Sequence, residues 1–522
     1  MINNEVIYQI YPLTFNYAPG SKSDPYKGCY GNLKGVTQMA PYVSSLGVDA
    51  IWITPFYPWG GNGFGYDIVD YYGIDSMFGT VEDLKELCDV YHSYNIRVII
   101  DQVYNHCSIH HPWFEKSVAG IKPFDEFFVW APAKCFDANN KPVEPNNWPS
   151  VWNSNGPSAW QWNEERKMFY LHSFDHTMPD LNINNIHVQN MLLDVAKYWF
   201  DLGVDGFRLD AANQYGCDPL LKDNPIFTSG KNKGKQERKY DINSKGGEIF
   251  INRLKDLCNS YEKPKTLLAE YWYNISRSAR KDMIKLFEDS NCDAFFLGTL
   301  NYTLKELKPF ISRDLSVVPN GVKINWANSN HDLERVASRV FGDKVTLNKN
   351  IMLMHFLLSL PGSICIYQGQ ELGLSNPKDF EHCKNAKFDP LNIWKNFNMP
   401  WDASRAGFAL TDSMDDVTRT MALMPDEEQY KLAVSNQNFE GSMLNKTREM
   451  IFKRKNSFLS QYGHVAFIKG IKNDGVIAFV RSDINKTHKV LHAYNFSDTE
   501  YSFIYRNKSY TLAPETMIAE VL

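Results

Sequence analysis

Short β-branched runs recur along this chain with amphipathic segments between them, and that alternation constrains the fold more than any other feature of the sequence. In one intervening segment, Val81 to Tyr94, the side chains of Leu84, Leu87 and Tyr91 share one face at helical spacing. Alternating strands and helices are typical of α/β folds with a parallel sheet. Eight such units close most economically into a (β/α)8 barrel, or TIM barrel. The strands are predicted near Val6 to Ile10, Ala50 to Thr54, Arg97 to Asp101, Asp205 to Leu209, Thr266 to Glu270, Asp293 to Phe296, Ile324 to Asn328 and Ile364 to Tyr367.

Two regions do not fit a plain barrel. More than one hundred residues separate Asp101 from Asp205, and this stretch is rich in Trp, Pro, Asn and His, so a folded subdomain is predicted after strand three. After about Ser457 the pattern changes to short alternating strands with turn residues, which predicts a C-terminal antiparallel β domain. The predicted boundaries are 1–103 and 181–456 for the barrel, 104–180 for the inserted subdomain and 457–522 for the β domain.

Charge and hydropathy exclude several classes of partner. The chain has 55 Lys and Arg against 60 Asp and Glu, a net charge of −5, without a run of like charges, so no nucleic-acid partner is expected. The most apolar segment, residues 351–367, is interrupted by His355 and Pro361, so no membrane partner is expected. Nine scattered cysteines without a C-x-x-C pair, and the absence of a signal-peptide pattern, predict a cytoplasmic protein. The sequence leaves monomer and homo-oligomer open.

Three predicted strands end near a carboxylate: Asp210, Glu270 and Asp332. TIM barrels place their active sites at the carboxyl ends of the strands, so we expect these three groups to converge. Arg208 lies two residues before Asp210 and therefore on the same face of its strand, where a guanidinium would hold Asp210 ionised.

A pair of carboxyl groups in different environments is what glycoside hydrolysis requires. One is ionised and acts at the anomeric carbon, and the other is protonated and donates to the leaving oxygen. Apolar neighbours along the sequence are expected to raise the pKa of Glu270, which makes it the natural acid. His106 and His110 stand four residues apart, but they follow a strand and do not lie on a clear helix, so no metal site is expected.

Five short motifs, in order, resemble those of glycoside hydrolase family 13, the α-amylase family. They are DQVYNH (101–106), MPDLN (178–182), GFRLDA (206–211), AEYW (269–272) and NHD (330–332). Flanking stretches such as YDIVDYYGIDSMFGT and LPGSICIYQGQELG look like the α-glucosidase and oligo-1,6-glucosidase branch. The resemblance covers nearly the whole chain and implies a barrel, an inserted B domain and a C-terminal β domain.

The resemblance also implies roles for individual residues. Asp210 matches the nucleophile, Glu270 the general acid/base and Asp332 the third carboxylate, which binds sugar hydroxyls. The residues that match substrate-binding positions are Tyr66, Asp67, His106, Phe174, Arg208 and His331. The reaction would retain the anomeric configuration.

The chain departs from the family pattern at two places. Where glucosidases of this branch usually have an Arg that seals the pocket against the residue matching Asp67, this chain has Asn396, and Lys395 or Arg405 is a possible substitute. The acidic metal loop corresponds to residues 22–32, which lack most oxygen ligands, so neither calcium nor another cofactor is expected. Ala211 resembles relatives that act on α-1,4 links.

The sequence therefore predicts a retaining α-glucosidase that hydrolyses short α-glucosides, such as maltose, maltooligosaccharides or sucrose, through a covalent glucosyl-enzyme intermediate. A transglycosylase or a sucrose isomerase with the same three carboxylates is the first alternative. A non-catalytic carbohydrate-binding or interaction protein, comparable to the barrel-like ectodomain of amino-acid transporter heavy chains, is the second. A small oligosaccharide is the predicted partner.

Overall fold

The structure is a computed structural model that describes residues 5–18, 30–61, 63, 65–151, 157–230, 232–271, 285, 289, 292–297, 303–317, 324–377, 396–402, 427–460 and 463–522. The strands, in chain order, are β1 Val6–Ile10, β2 Ala50–Ile53, β3 Arg97–Gln102, β4 Trp130–Ala131, β5 Trp160–Asn163, β6 Met168–Leu171, β7 Gly206–Leu209, β8 Thr266–Tyr271, β9 Ala294–Leu297, β10 Ile324–Ala327, β11 Ser363–Tyr367, β12 Gly463–Phe467, β13 Val476–Asp483, β14 Lys489–Asn495, β15 Tyr501–Tyr505, β16 Lys508–Leu512 and β17 Thr516–Val521.

The α-helices of the described part are α1 Pro12–Phe15, α2 Leu33–Gln38, α3 Ala40–Ser45, α4 Val81–Ser93, α5 Pro112–Val118, α6 Ile186–Asp201, α7 Lys245–Asn259, α8 Leu304–Val317, α9 Val336–Phe341, α10 Leu347–Ser359, α11 Glu427–Lys431 and α12 Met443–Lys455. Helix α4 begins at a capping box in which Thr80 accepts from the Asp83 amide and Asp83 accepts from the Thr80 amide. Leu84, Leu87 and Tyr91 are buried, as the helical spacing predicted.

Eight parallel strands form a closed barrel in the order β1, β11, β10, β9, β8, β7, β3 and β2. Strand β1 closes it, since Tyr8 lies opposite Ile51 of β2 and Ile366 of β11. The (β/α)8 fold is confirmed, and each of the eight strands agrees with its predicted bounds to within one residue at either end. The runs were recognisable because strands covered on both faces consist mainly of apolar residues.

The barrel interior has an apolar floor with a polar layer above it. Small and large apolar side chains that point inward form a cluster separate from the main core, made up of Ile7, Ala50, Trp52, Ile99, Leu268, Ala294, Ala327 and Cys365. Successive residues of a strand point to opposite faces, so the next inward positions toward the carboxyl ends are two residues further on. At those positions stand Gln9, Asp101 and Glu270, and Arg208 lies on the same face of β7.

Two antiparallel regions accompany the barrel. Between β3 and β7 the chain forms a three-stranded sheet in the order β4, β6, β5. After α12 it forms a four-stranded sheet, β12-β13-β14-β17, and the β15-β16 hairpin. The inserted subdomain and the C-terminal β domain are thus present, while their boundaries stay a prediction. Residues 351–367 run from helix α10 into strand β11, and within the described part no helix is both long enough and apolar enough to cross a bilayer.

Candidate active site

Arg208 organises the polar layer of the barrel. Its guanidinium contacts three carboxylates: Nη1 lies 2.8 Å from Oδ1 of Asp101 and 2.6 Å from Oδ1 of Asp210, and Nη2 lies 2.6 Å from Oε2 of Glu270. The guanidinium carbon also stands 5.0 Å from the ring centroid of Trp52. The predicted pairing of Arg208 with Asp210 is present, and one buried cation brings two of the three predicted catalytic carboxylates together.

This centre holds more negative than positive charge. Burial raises the pKa of Asp101 to about 6, although the adjacent Arg208 charge opposes the rise. Burial also raises the pKa of Asp210, and Arg208 again opposes it, while the negative charges of Glu270 and Asp101 add to it. The sequence predicted that Arg208 would hold Asp210 ionised, but burial acts on its pKa in the opposite direction and is the larger cause.

Glu270 has a more polar environment than its sequence neighbours suggested. Its Oε2 atom contacts Arg208 and accepts a hydrogen bond of 3.1 Å from the backbone amide of Ala211. Leu267 and Ala269 pack on the outer side of the barrel wall in the main core. The expectation of an apolar environment for this carboxyl group was therefore wrong.

The residue after Asp210 adopts an unusual backbone conformation. Ala211 has φ 43° and ψ 43°, in the left-handed region. This turn ends β7 immediately after the carboxylate and directs the Ala211 amide toward Glu270. The backbone thus links the two carboxyl groups independently of Arg208.

Asp332 differs from the other two carboxylates because its side chain is 43% exposed. Asn330 fixes the turn that carries it, accepting hydrogen bonds from the amides of Asp332 and Leu333, both at 3.0 Å. Nε2 of His331 lies 3.4 Å from Oδ1 of Asp332. This carboxylate is available to a ligand that enters from solvent.

Tyr66 and His331 connect the two sides of the site. Their rings stack with centroids 5.6 Å apart, and the Tyr66 hydroxyl lies 2.7 Å from Nε2 of His331. The same hydroxyl donates to Oδ2 of Asp101 at 3.1 Å. Asp67 is buried, and its Oδ1 accepts from the Gly63 amide at 2.9 Å.

His106 and Phe174 form a second wall. Their ring centroids are 4.9 Å apart, and both side chains are buried. Burial lowers the pKa of His106 to about 3, so the ring is neutral at physiological pH. Its Nε2 atom is buried without a hydrogen-bond partner, which suits an interaction with a ligand hydroxyl.

Asn396 stands at the position of the sealing Arg and makes two hydrogen bonds within the protein. It is buried, its Nδ2 donates to the backbone oxygen of His331 at 2.9 Å, and its Oδ1 accepts from the Tyr367 hydroxyl at 2.6 Å. It therefore ties strand β11 to the loop that carries His331. Lys395 and Arg405, the suggested substitutes, lie outside the described residues.

Sequence reasoning missed Asp101, Trp52 and Gln9. Asp101 ends an apolar strand run in the same way as the three carboxylates that were recognised, and that signal was available. Trp52 Nε1 donates to Oδ2 of Asp101 at 3.2 Å, and Gln9 Nε2 lies 2.8 Å from Nδ1 of His331. Neither contact has a signal in the sequence, because the partners are far apart along the chain.

Among the described residues, no group of three or more His, Cys, Asp or Glu side chains has an arrangement that would hold a metal ion. The degenerate loop at 22–32 lies mostly outside the described residues. The predictions of no calcium site and no cofactor therefore stay predictions.

Comparison with known proteins places this geometry in context. Residues 9–463 match the alpha-amylase catalytic domain family. A probable alpha-glucosidase of Rhizobium meliloti is 31% identical over 94% of this chain and 89% of its own length. An oligo-1,6-glucosidase of Saccharomyces cerevisiae is 29% identical over 96% of this chain and 91% of its own length. The crystal structure of the alpha-glucosyl transfer enzyme XgtA, 29% identical, superposes with a TM-score of 0.83 over 100% of this chain and 99% of that one.

Proposed function

Because the chain belongs to the alpha-amylase family, we propose that it is a retaining α-glucosidase that hydrolyses short α-glucosides, such as maltose, maltooligosaccharides or sucrose. The resemblance drawn from the five sequence motifs and the assignment as a glycoside hydrolase are both confirmed by the family match and by relatives named as glucosidases. The observation that carries the proposed mechanism is the contact of one guanidinium with both Asp210 and Glu270.

That contact brings the two carboxyl groups close together. In retaining glycosidases the two groups lie about 5 to 5.5 Å apart, whereas inverting enzymes keep them about 6.5 to 9.5 Å apart so that a water fits between them. Two oxygens bound by one planar guanidinium suit the shorter separation, and we assign a retaining mechanism on this basis.

The proposed first step forms a glucosyl ester on Asp210. Arg208 holds Oδ1 of Asp210, so Oδ2 is assigned the attack on C1. As the C1–O bond to the leaving group breaks, Glu270 transfers its proton to the leaving oxygen. In the second step the Glu270 carboxylate takes a proton from water, the water oxygen bonds to C1, and the ester bond to Asp210 breaks.

The other site residues are assigned to binding. Asp332 accepts hydrogen bonds from sugar hydroxyls at the solvent side, and His331 and His106 donate to the same glucose. Tyr66 provides a stacking face, with Asp67 beside it and Phe174 forming the opposite wall. The unpartnered Nε2 of buried His106 supports this assignment, since a ligand hydroxyl would satisfy it.

Two variants test the catalytic assignments separately. Asp210→Asn removes the nucleophile and is expected to lower kcat by several orders of magnitude for every substrate. Glu270→Gln removes the acid, so it should do the same for maltose, but ester formation from p-nitrophenyl α-glucoside should be much less affected, because nitrophenolate leaves without protonation. Azide should then restore turnover of the Glu270 variant by replacing water. Asp343→Asn, at an exposed carboxylate outside the site, is the matched control.

The anomer released first from maltose tests the stereochemistry. Proton NMR during turnover should show α-glucose before mutarotation, and β-glucose would refute the retaining mechanism. Wild-type activity in either Asp210→Asn or Glu270→Gln would refute the residue assignment. Binding of maltose without any turnover by the wild-type protein would favour the non-catalytic alternative.

Transglycosylation is the second candidate, and the full-length similarity to an α-glucosyl transfer enzyme favours it. A sugar hydroxyl then replaces water in the second step, with the same carboxylates. Chromatography of products at high maltose and high sucrose separates the candidates: glucose alone supports hydrolysis, new oligosaccharides support transfer, and an isomer of sucrose supports isomerisation. A cytoplasmic location remains part of the proposal, on the evidence of the scattered cysteines.

A further inference from the structure

The side chain of Gln9 contacts the ring of His331 inside the barrel. Gln9 is fully buried near the end of β1, and its Nε2 lies 2.8 Å from Nδ1 of His331. Tyr8, its neighbour on β1, points the other way, and its hydroxyl donates to Glu371 at 2.7 Å. The side chains of these two adjacent residues thus lie on opposite faces of the barrel wall.

The direction of each hydrogen bond beyond His331 can be worked out from donor capacity. The Trp52 indole nitrogen can only donate, and it donates to Oδ2 of Asp101 at 3.2 Å. Arg208 can also only donate, and it donates to Oδ1 of Asp101 at 2.8 Å. Both Asp101 oxygens therefore act as acceptors, as they do in an ionised carboxylate.

Tyr66 has one hydroxyl hydrogen, and it is donated to Asp101 at 3.1 Å. The Tyr66 oxygen must then accept from Nε2 of His331, 2.7 Å away. In a neutral imidazole, which carries one hydrogen, Nδ1 of His331 is then an acceptor, and the amide group of Gln9 is the donor that faces it. Of the two neutral tautomers of His331, only the one with hydrogen on Nε2 gives every donor in this series of hydrogen bonds an acceptor.

The opposite orientation of the Gln9 amide, with its oxygen toward a neutral His331, removes one hydrogen bond from this series. If Gln9 presented its oxygen to Nδ1 of a neutral ring, that nitrogen would carry the hydrogen, and Nε2 would accept from Tyr66. Asp101 would then lose the Tyr66 hydrogen bond, although it is buried beside an excess of negative charge. Buried carboxylates depend on such donors. For a neutral His331, Asp101, three hydrogen bonds away from Gln9, therefore favours the amide orientation that places Nε2 of Gln9 toward the ring.

We propose that Gln9 is a positioning residue that fixes neutral His331 in the tautomer with hydrogen on Nε2, so that this nitrogen presents a donor to the sugar. The role rests on the proposed function, in which His331 donates to the bound glucose. In the resting site Tyr66 accepts this hydrogen bond, and a sugar hydroxyl takes over when glucose stacks on Tyr66. Around the ring stand Gln9, Tyr11, Trp52, Tyr66 and the Asp332 carboxylate, which lies 3.4 Å from Nε2.

Two substitutions alter the tautomer in different ways. Gln9→Met keeps the length of the side chain but removes the donor, so both tautomers become accessible. Gln9→Glu replaces the donor with an acceptor, which favours hydrogen on both ring nitrogens and therefore the imidazolium form. Misdirecting one donor to the substrate is expected to lower kcat/KM by roughly 10- to 100-fold. Tyr8→Phe, which removes a buried hydrogen bond from the same strand on its other side, is the matched control.

Nitrogen NMR of histidine-labelled protein tests the tautomer directly, with His331→Asn identifying the His331 signal among the 13 histidines. The expected result is an unprotonated Nδ1 and a protonated Nε2 in the wild-type protein, loss of that preference in Gln9→Met, and an additional ionisation in the pH profile of kcat/KM for Gln9→Glu. Tyr8→Phe should show neither change.

A protonated Nδ1 in the wild-type protein would overturn the inference, as would a Gln9→Met variant with the wild-type tautomer. A pH profile of Gln9→Glu identical to that of the wild type would also overturn it. The NMR measurement needs no turnover, so it separates this inference from the proposed function. If the wild-type protein failed to hydrolyse any glucoside but showed the expected tautomer, only the proposed function would be refuted.

Discussion

Replacing Asp101 by Asn is expected to change how the stability of the protein depends on pH. Asp101 is fully buried, and its pKa is raised to about 6 because burial outweighs the attraction of Arg208. The native protein therefore holds this proton more tightly than the unfolded chain, in which the pKa has its ordinary value of 3.8. The stabilising effect of protonation is fully present below pH 3.8 and is lost as the pH rises through about 6.

The size of the effect follows from the two pKa values. Their difference corresponds to about 3 kcal/mol of unfolding free energy, at about 1.4 kcal/mol for each pH unit. About 2 kcal/mol of this falls between pH 4.5 and 7.5, where the rest of the protein is more easily kept native. Asp180, whose pKa burial raises to about 7, contributes a decline in the same direction, whereas His106, His111 and His355, whose pKa values burial lowers, contribute a rise toward neutral pH. These groups are common to the wild-type protein and the variant, so the difference between the two proteins isolates Asp101.

Urea unfolding followed by tryptophan fluorescence across this pH range measures the difference. Between pH 4.5 and 7.5, the change in unfolding free energy of Asp101→Asn should be more positive than that of the wild type by about 2 kcal/mol, whereas exposed Asp343→Asn should match the wild type. Only the slope of unfolding free energy against pH tests this prediction. The absolute stability of the variant also changes for another reason, because the new Asn amide faces the Trp52 and Tyr66 donors. Equal slopes for Asp101→Asn and the wild type would refute the conclusion that the ionised Asp101 carboxylate destabilises the native state.

Substitutions at three further positions test other parts of the structure. Ala211 has φ 43°, a conformation that glycine adopts freely and that strains a β-branched side chain. Ala211→Gly should therefore leave the unfolding free energy unchanged or raise it by up to about 1 kcal/mol, and Ala211→Val should lower it by about 1 to 3 kcal/mol. Urea midpoints check both values, and a Val variant more stable than the wild type would contradict them. Burial lowers the pKa of His355 to about 4, so the neutral ring contributes stability that the wild-type protein loses as the pH falls from 6.5 to 4. In His355→Gln this loss should be smaller by up to about 3 kcal/mol. Acid unfolding curves measure the difference, and coincident curves for the two proteins would contradict it. Asn396→Ala removes two buried hydrogen bonds and should cost about 2 kcal/mol in unfolding free energy and lower kcat/KM; unchanged kinetics would show that the loop of His331 does not depend on it.

The eight strands were predictable because each carries a signal of its own. A strand between an apolar floor and a layer of helices must be apolar on both faces, and such runs stand out in the sequence. Parallel strands joined by helices then leave few alternatives for the topology. The positions of the strand-end carboxylates followed from the strands alone.

The environment of each carboxylate was not predictable in the same way. Leu267, Ala269 and Tyr271 are neighbours of Glu270 along the chain, but alternation places them on the outer side of β8. The groups that face Glu270 come from the adjacent strand β7 and the turn that follows it. Environments across a barrel depend on strand register, which a single sequence specifies only indirectly.

The same limit explains Gln9 and Asn396. Gln9 meets His331 across the barrel mouth, between segments 322 positions apart. Asn396 departs from the family at a single position, and its sequence gives no indication that an amide there would hold the backbone of His331. A substitution inside a known motif shows which contact is lost, and the structure shows which contact replaces it.

The excess of carboxylates over cations at Arg208 relates stability to catalysis. One guanidinium faces Asp101, Asp210 and Glu270, so the buried centre is short of positive charge. A neutral glucoside does not relieve this imbalance, but the transition state of glycoside hydrolysis carries positive charge on the ring oxygen and C1. Groups fixed before the reaction stabilise such a charge without reorganisation, and they stabilise it more than they stabilise the neutral substrate. Burial is the main reason that the pKa of Asp101 is raised, and the negative charge of Glu270 adds to it. The same negative charge that weakens the native state near neutral pH therefore also favours the proposed transition state.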